Sequence, residues 1–329
     1  MSFERALLER LAAGPVSGDL LAREQGLSRA AVWKRIEALR AAGVEVIAQA
    51  GQGYALAQRP DLLDADTIRS ALPSDVRDGL AELEVLWSID STSSELLRRA
   101  RPAAGASALL AERQTGGRGR RGRSWRSPLA ANLYLSVSRR FAGGLARLGG
   151  LSLVAGVCVA EAVQALGVEA RLKWPNDLVV DDGLGGLRKL GGLLVEGGGE
   201  HAGPVAAVIG IGINVAMPAD AGAEIDQPWS DLRALGVAGP VRNRLAAAVL
   251  SRLLPTLDAF DRDGLGPCLP RYAALDALRD LPVVVHDGDR ICAGVASGIA
   301  ADGALRVRLA DGERTFHAGE VSVRRHTHG

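Results

Sequence analysis

Apolar positions in the first 57 residues recur at helical spacing: Val32, Ile36 and Leu39 fall on one stripe, and Ser17 and Ser28 stand where N-caps belong. Gly26-Leu27 makes a short turn between the second and third of these helices. The apolar runs 44–48 and 54–57, joined across Gly51-Gln52-Gly53, predict a small hairpin. Three helices and a hairpin outline a winged helix-turn-helix, whose third helix turns Arg29, Ala30, Trp33 and Lys34 outward behind Ser28, where base edges are met. The alternative is a small helical interaction domain without a DNA role. Turn spacing, cap and basic face favour DNA.

The polar, helix-breaking Gln58-Arg59-Pro60-Asp61 reads as a linker. Beyond it, strands are predicted at 83–89, 106–112, 133–138, 171–174, 190–196 and 205–213, and helices near 94–101, 148–166 and 242–262. From Leu281 onward, short apolar runs separated by Asp287-Gly288, Ser297-Gly298, Asp302-Gly303 and Asp311-Gly312 predict the hairpins of a small all-β barrel. The expected class is α+β: a winged helix-turn-helix DNA-binding domain over residues 1–60, a mixed α/β domain over 61–275 and a β-barrel over 276–329.

A chain of 329 residues is long enough for such a division, and its net charge of +1 makes no general case for nucleic acid. Any DNA contact must come from a local patch. Cys158, Cys268 and Cys292 are few, odd in number and far apart, which argues against a disulfide frame or zinc site and for a reducing cytoplasm. The N-terminus lacks a signal-peptide core, and the most apolar stretch, 148–166, carries glycine and Glu161, so no membrane partner is expected. Of 39 basic residues only Lys34, Lys173 and Lys189 are lysines, which marks them as positions that need a compact ammonium. Asparagine is equally scarce, at Asn132, Asn176, Asn214 and Asn243.

The stretch from Gln114 to Trp125 holds four arginines and four glycines in twelve residues, unsuited to core, helix or strand. Glycine lets backbone N–H groups turn towards a ligand, and guanidinium forks match phosphate or carboxylate oxygens, so this reads as a mobile anion-binding loop. Gly117, Gly119 and Gly122 also satisfy the dinucleotide pattern G-x-G-x-x-G. However, Pro128 and a strand follow where that fingerprint needs a helix.

This loop, Lys173-Trp174-Pro175-Asn176-Asp177, the run from Lys189 to Glu196, and Gly210-Ile211-Gly212-Ile213-Asn214 closely resemble the ordered motifs of biotin–protein ligases. The resemblance runs essentially the whole length, and the preceding winged helix points to the bifunctional class that also represses a biotin operon. It implies that biotin and ATP condense to biotinyl-5′-adenylate and pyrophosphate, and that the acyl group then passes to a lysine of a carboxylase's biotin carrier domain. It further implies Mg²⁺ with ATP, biotinyl-5′-AMP as corepressor on operator DNA, a homodimer on adenylate binding, and an SH3-like C-terminal barrel.

Joining a carboxylate to a phosphate brings two anions together, which Arg118, Arg120 and Arg121 are placed to offset. By the resemblance, Ser91, Thr92, Ser93 and Gln114 hold the ureido ring, and Gly117, Arg118, Gly119 and Arg120 form the biotin loop. Arg118 and Arg120 meet the carboxyl and phosphate, Trp125 walls the pocket, and Lys189 reaches the oxygens at the acyl-phosphate bond. Arg121, Lys173, Asn176 and Asp177 go to the ATP phosphates, while Asn214 and Trp229 match positions near the nucleotide. Ser91 to Ser93 also read as an N-cap cluster before Glu95, and Trp229 as a core residue.

Two departures stand out. The segment 181–188 is longer and richer in glycine than is common in the family, extending a hairpin turn ahead of Lys189, and Ser124 stands where a basic residue is frequent. Two other functions compete with the ligase-repressor: a biotin-sensing transcription factor without catalysis, and attachment of lipoate rather than biotin.

Overall fold

The computed structural model describes residues 3–49, 51–99, 104–142, 148–199, 205–288, 290–318 and 321–325. At the N-terminus α1 (Phe3–Ala12), α2 (Gly18–Glu24) and α3 (Arg29–Ala41) are followed by β1 (Val46–Gln49) and β2 (Gly53–Leu56), which pair as an antiparallel hairpin. The Ser17 hydroxyl accepts from Leu20 N and that of Ser28 from Ala31 N, so both expected caps form. Val32, Ile36 and Leu39 are buried on one face of α3.

The middle of the chain runs α4 (Ala65–Ser70), α5 (Ser74–Asp78), β3 (Leu80–Leu86), α6 (Thr92–Arg98), β4 (Ala106–Ala111), β5 (Leu133–Phe141), α7 (Leu151–Gln164), β6 (Arg171–Lys173), β7 (Asp177–Asp181), β8 (Leu187–Gly199), β9 (Val205–Ile213), α8 (Ala219–Ala223), α9 (Arg242–Asp263) and α10 (Leu269–Leu275). Its strands form one seven-stranded sheet in the order β3-β4-β5-β9-β8-β7-β6, with β3 and β4 parallel and the other neighbours antiparallel. Helices α7 and α9 share the large apolar core with the sheet, and α6 closes a second small core with Leu96, Leu109 and Val208. Nearly every side chain of α7 is buried, so its apolar run belongs to a core helix. No described helix is long and apolar enough to cross a membrane.

Several elements differ from the pattern-based expectation. Strand β3 starts earlier, with Leu80 buried against Ala106, and α6 begins at Thr92 because the Ser91 hydroxyl caps Ser94 N. Strand β7 went unforeseen, as did the short helices α4, α5, α8 and α10, which are too brief to show a period.

The chain ends in β10 (Pro282–Asp287), β11 (Arg290–Ile299), β12 (Leu305–Leu309), β13 (Gly312–Phe316) and β14 (Val321–Arg325), an antiparallel sheet ordered β13-β12-β11-β10-β14. Its edge strands β13 and β14 do not pair among the described residues, so the expected closed barrel is reduced to an open five-stranded sheet. Ser297-Gly298 is not a turn. It lies inside β11, where Gly298 at φ 99° makes a bulge against β12, since one positive-φ residue bends a strand without ending it.

A buried ion pair locks the sheet to α9: Arg242 Nη1 lies 2.8 Å from Glu112 Oε2, with the two side chains 1% and 2% exposed. Arg242 also donates to the carbonyls of Asn132 and Asp61, and Glu112 Oε1 accepts from Leu63 N. Asp61, expected in the linker, is tied down there too, its carboxylate accepting from Arg242 N at 2.7 Å.

Candidate active site

One cavity of about 550 Å³ is lined in part by residues of β5, β7, β8 and β9. Part of its lining is uncharged. Thr92 Oγ1 and Ser93 Oγ each share a hydrogen bond with Ser136 Oγ, at 2.7 and 2.9 Å, and Gln114 Oε1 accepts from Thr92 N at 2.9 Å. The glycines of β9 make room for this cluster: a Cβ on Gly210 would stand 2.4 Å from Ser93 Oγ, and one on Gly212 2.5 Å from the Trp125 ring. Trp125 forms part of the wall, and its buried indole N–H has no partner among the described residues. That orphan donor, beside hydroxyls that can donate or accept, suits a small polar ring such as a urea.

Another part of the lining is cationic. The arginine-glycine loop, expected to be mobile, is folded back on itself here: Trp125 N donates to Gly117 O and Gly119 N to Arg123 O, around a short 3₁₀ turn at Arg120–Gly122. Arg118 forks onto Glu196 through bonds of 2.9 and 2.7 Å, and Arg120 donates to Asn176 Oδ1 at 3.1 Å and to the carbonyl of Ala318. Burial holds the Arg120 guanidinium below its ordinary value, Asp177 opposing that shift and Arg121 adding to it. An incoming anion would offset both the burial and the Arg121 repulsion.

Lys189 enters from β8 with its Nζ 2.7 Å from Asp177 Oδ1 on β7 and 5.6 Å from the centre of the Trp125 ring. The long segment between these strands is a tight turn in which Asp182 Oδ1 accepts from Leu184 N and Gly186 N. A register shift at Leu178/Val179 then lets Lys189 face the cavity while pairing with Val179. Lys173, Asn176 and Asp177 line the same cavity around a cis Trp174–Pro175 bond, and Asn176 is pinned by bonds to both the N–H and C=O of Leu193.

Three family models match this chain in order: the HTH domain over residues 4–55, the Biotin/lipoate A/B protein ligase family over 86–214, and the Biotin protein ligase C terminal domain over 282–324. The bifunctional ligase/repressor BirA of Salmonella typhimurium is 42% identical over 94% of this chain and 93% of its own length. The chain belongs to the biotin–protein ligase family. The Escherichia coli relative of the same name is 40% identical over 94% of this chain and 92% of its own. Among solved structures, the Aquifex aeolicus biotin protein ligase in complex with biotin and ATP is 26% identical and covers 75% of this chain and 100% of that one, with a TM-score of 0.63.

Within this family member, the cavity gathers Ser91, Thr92, Ser93, Gln114, Arg118, Gly119, Arg120, Arg121, Trp125, Lys173, Asn176, Asp177 and Lys189 of the residues singled out in the sequence. Gly117 stands behind the lining, its Cα hydrogens against Trp125 O and Ser127 Oγ. Asn214 is buried beneath it, where its amide donates to Ser230 O at 3.1 Å and fastens the 228–230 segment that pairs with Lys189. The Trp229 ring turns to α8, packing on Gly222 and donating to its carbonyl at 3.2 Å. Sequence reasoning missed Ser136 and Asp226 in the lining, as well as Val323 from the C-terminal sheet. Each sits in a stretch that reads as ordinary strand or loop. Among the described residues no group of three metal-ligating side chains occurs, and Asp177 is engaged with Lys189. The donor set thus does not fit a protein cage for Mg²⁺.

On the N-terminal unit Ser28, Arg29, Ala30, Trp33 and Lys34 are all exposed along the start of α3, Trp33 by 54%, and Arg29 lies 3.1 Å from Asp19.

Proposed function

We propose that this chain is an ATP-dependent biotin–protein ligase and biotin-operon repressor. The observation that carries this is the meeting, in one cavity, of the uncharged Thr92-Ser93-Gln114-Ser136 cluster with Arg118, Arg120 and Lys189. An uncharged polar ring with an acidic tail matches that division, whereas the dithiolane of lipoate would leave the hydroxyls and the Trp125 N–H without partners. The arginines and Lys189 argue equally against a sensor that has lost catalysis.

In the first step a carboxylate oxygen of biotin attacks the α-phosphorus of ATP, forming the acyl-phosphate bond and releasing pyrophosphate. Arg118 and Arg120 draw the two anions together, and Lys189 holds the charge that builds on the non-bridging oxygens. Arg121, Lys173, Asn176 and Asp177 position the phosphates, and Asn214 supports the nucleotide indirectly through the 228–230 segment. Mg²⁺ arrives as the counter-ion of ATP. In the second step the amine of a carrier-domain lysine attacks the acyl carbon and AMP leaves, with Lys189 again on the phosphate.

Family membership extends the reading to a cytoplasmic protein with an SH3-like C-terminal unit. Biotinyl-5′-AMP would act as corepressor, promoting a homodimer that sets two α3 helices, through Ser28, Arg29, Ala30, Trp33 and Lys34, on operator DNA. Mass spectrometry of the chain incubated with ATP and either acid tests the chemistry: biotinyl-adenylate is expected, and an adenylate formed from lipoate alone would overturn the assignment.

A further inference from the structure

Leu129 belongs to the chain stretch of the cavity but to the core of the N-terminal unit. Its side chain is 3% exposed and packs in the cluster of Leu7, Leu11, Ile36 and Ala42. Its N–H donates to the carbonyl of Ala42, the C-cap of α3, at 2.8 Å. Beside it the α3 terminus passes Pro128 so closely that a Cβ on Gly43 would stand 2.9 Å from Pro128 Cβ. The C-terminal end of α3 is therefore gripped by residues 128 and 129.

The same stretch is fastened at its other end to the cavity wall. Trp125 N donates to Gly117 O at 2.8 Å, and Ser127 Oγ accepts from Gln114 Nε2 and donates to Trp125 O, both at 3.1 Å. Pro128 O accepts from Tyr134 Oη at 2.9 Å, and Ala130 N donates to Glu112 O at 3.0 Å. Each residue from Trp125 to Ala130 that links the cavity to α3 thus lies against a fixed partner or next to one, and the stretch has little slack.

We propose that Leu129 is a positioning residue that reports occupancy of the cavity to α3 within a single chain, without a second copy. This rests on the cavity being the biotin site. A ligand that holds Trp125 and Gln114 restricts residues 127–129, and a restricted Leu129 fixes the end of α3. The coupling is reciprocal, so whatever holds α3 favours the closed cavity.

Amide hydrogen exchange on the full chain tests this, with and without biotin, at a concentration where sedimentation shows a monomer, and with biotin affinity measured by calorimetry. Biotin is expected to slow exchange at Ala42, Gly43 and Val44, whose amides bond within the α3 terminus, by about tenfold. Leu129→Ala should remove that response while biotin affinity changes less than about threefold. Leu129→Met should keep it, and Pro128→Gly, which adds slack while leaving the anchor, should weaken it. Biotin heat with unchanged exchange in the wild-type monomer, or an equal response in Leu129→Ala and Pro128→Gly, overturns the linkage alone. No biotin heat at all overturns the assignment of the cavity and the linkage with it.

Discussion

Lys189 and Asp177 face one another from adjacent strands, Nζ to Oδ1 at 2.7 Å, with side chains only 18% and 23% exposed. Removing the ammonium takes away the partner of Asp177 in a cavity built for anions, and the cation that sits 5.6 Å from the centre of the Trp125 ring. Lys189→Ala should keep the fold and lower adenylate formation by about 2–4 kcal/mol of transition-state stabilisation, on the order of 30- to 1000-fold. Lys189→Arg should fare little better, since a planar guanidinium cannot replace a point charge between Asp177 and the ring. Single-turnover adenylation measures this, and activity within about threefold of wild type in either variant would move the role to another group.

Gly117 tolerates no side chain. A Cβ there would stand 2.4 Å from Trp125 O and 2.8 Å from Ser127 Oγ, and the first of these is backbone that cannot rotate away. Gly117→Ala alone should therefore lower kcat/KM for biotin by about tenfold or more, without any added charge, through displacement of Trp125. A steady-state assay showing near-normal kcat/KM for the alanine variant would mean that the loop accommodates the methyl.

Lys34 is exposed near the start of α3, so Lys34→Ala should weaken binding to duplex DNA and reduce the slope of log K against log salt by about 0.9 if it meets one phosphate. Adenylation should be unaffected. A titration across salt concentrations checks it; an unchanged slope would return the N-terminal unit to a protein-interaction role.

Glu112→Ala should be among the most destabilising substitutions, about 3–5 kcal/mol, because it strands the Arg242 guanidinium at 1% exposure and leaves Leu63 N unpaired. Denaturant titration gives the value. A loss below about 1 kcal/mol would show that water reaches the pair.

Asp276 is 2% exposed, one of its oxygens has no partner among the described residues, and burial raises its carboxyl above the ordinary 3.8 in spite of Leu278 N and Arg171. A raised acid stabilises the fold in its protonated form, so that contribution is complete below 3.8 and is lost as pH rises through the raised value. Compared with Asp276→Asn, the wild type should lose melting temperature as pH rises from below 3.8 through the raised value. Parallel melting curves for the two proteins across that window would refute the assignment.

Local pattern carried much of the architecture. Ser17 and Ser28 cap helices because a hydroxyl needs only its own next turn, and Val32, Ile36 and Leu39 are buried because a helical period puts them on one face whatever they meet. The cationic character of the arginine-glycine loop and the scarcity of lysine at Lys173 and Lys189 were legible for a similar reason, since residue type and rarity are local facts.

Non-local geometry decided the rest. Ser136 joins Thr92 and Ser93 only because β5 runs beside α6, and Lys189 meets Asp177 only because a register shift between β7 and β8 turns both inward. Asn214 is buried with its amide on Ser230 O and the Trp229 ring packs on Gly222, although the family resemblance puts both near the nucleotide. Ser297-Gly298 has the composition of a turn yet becomes a bulge, because the pairing of β11 with β12 continues past it. Leu129 reads as one more apolar residue before a strand, and only packing assigns it to the core of another unit. Helical period and capping act within a few residues, while pairing register, burial and charge partners depend on segments far apart in the chain, so the amino-acid sequence determined the first set and only the tertiary structure the second.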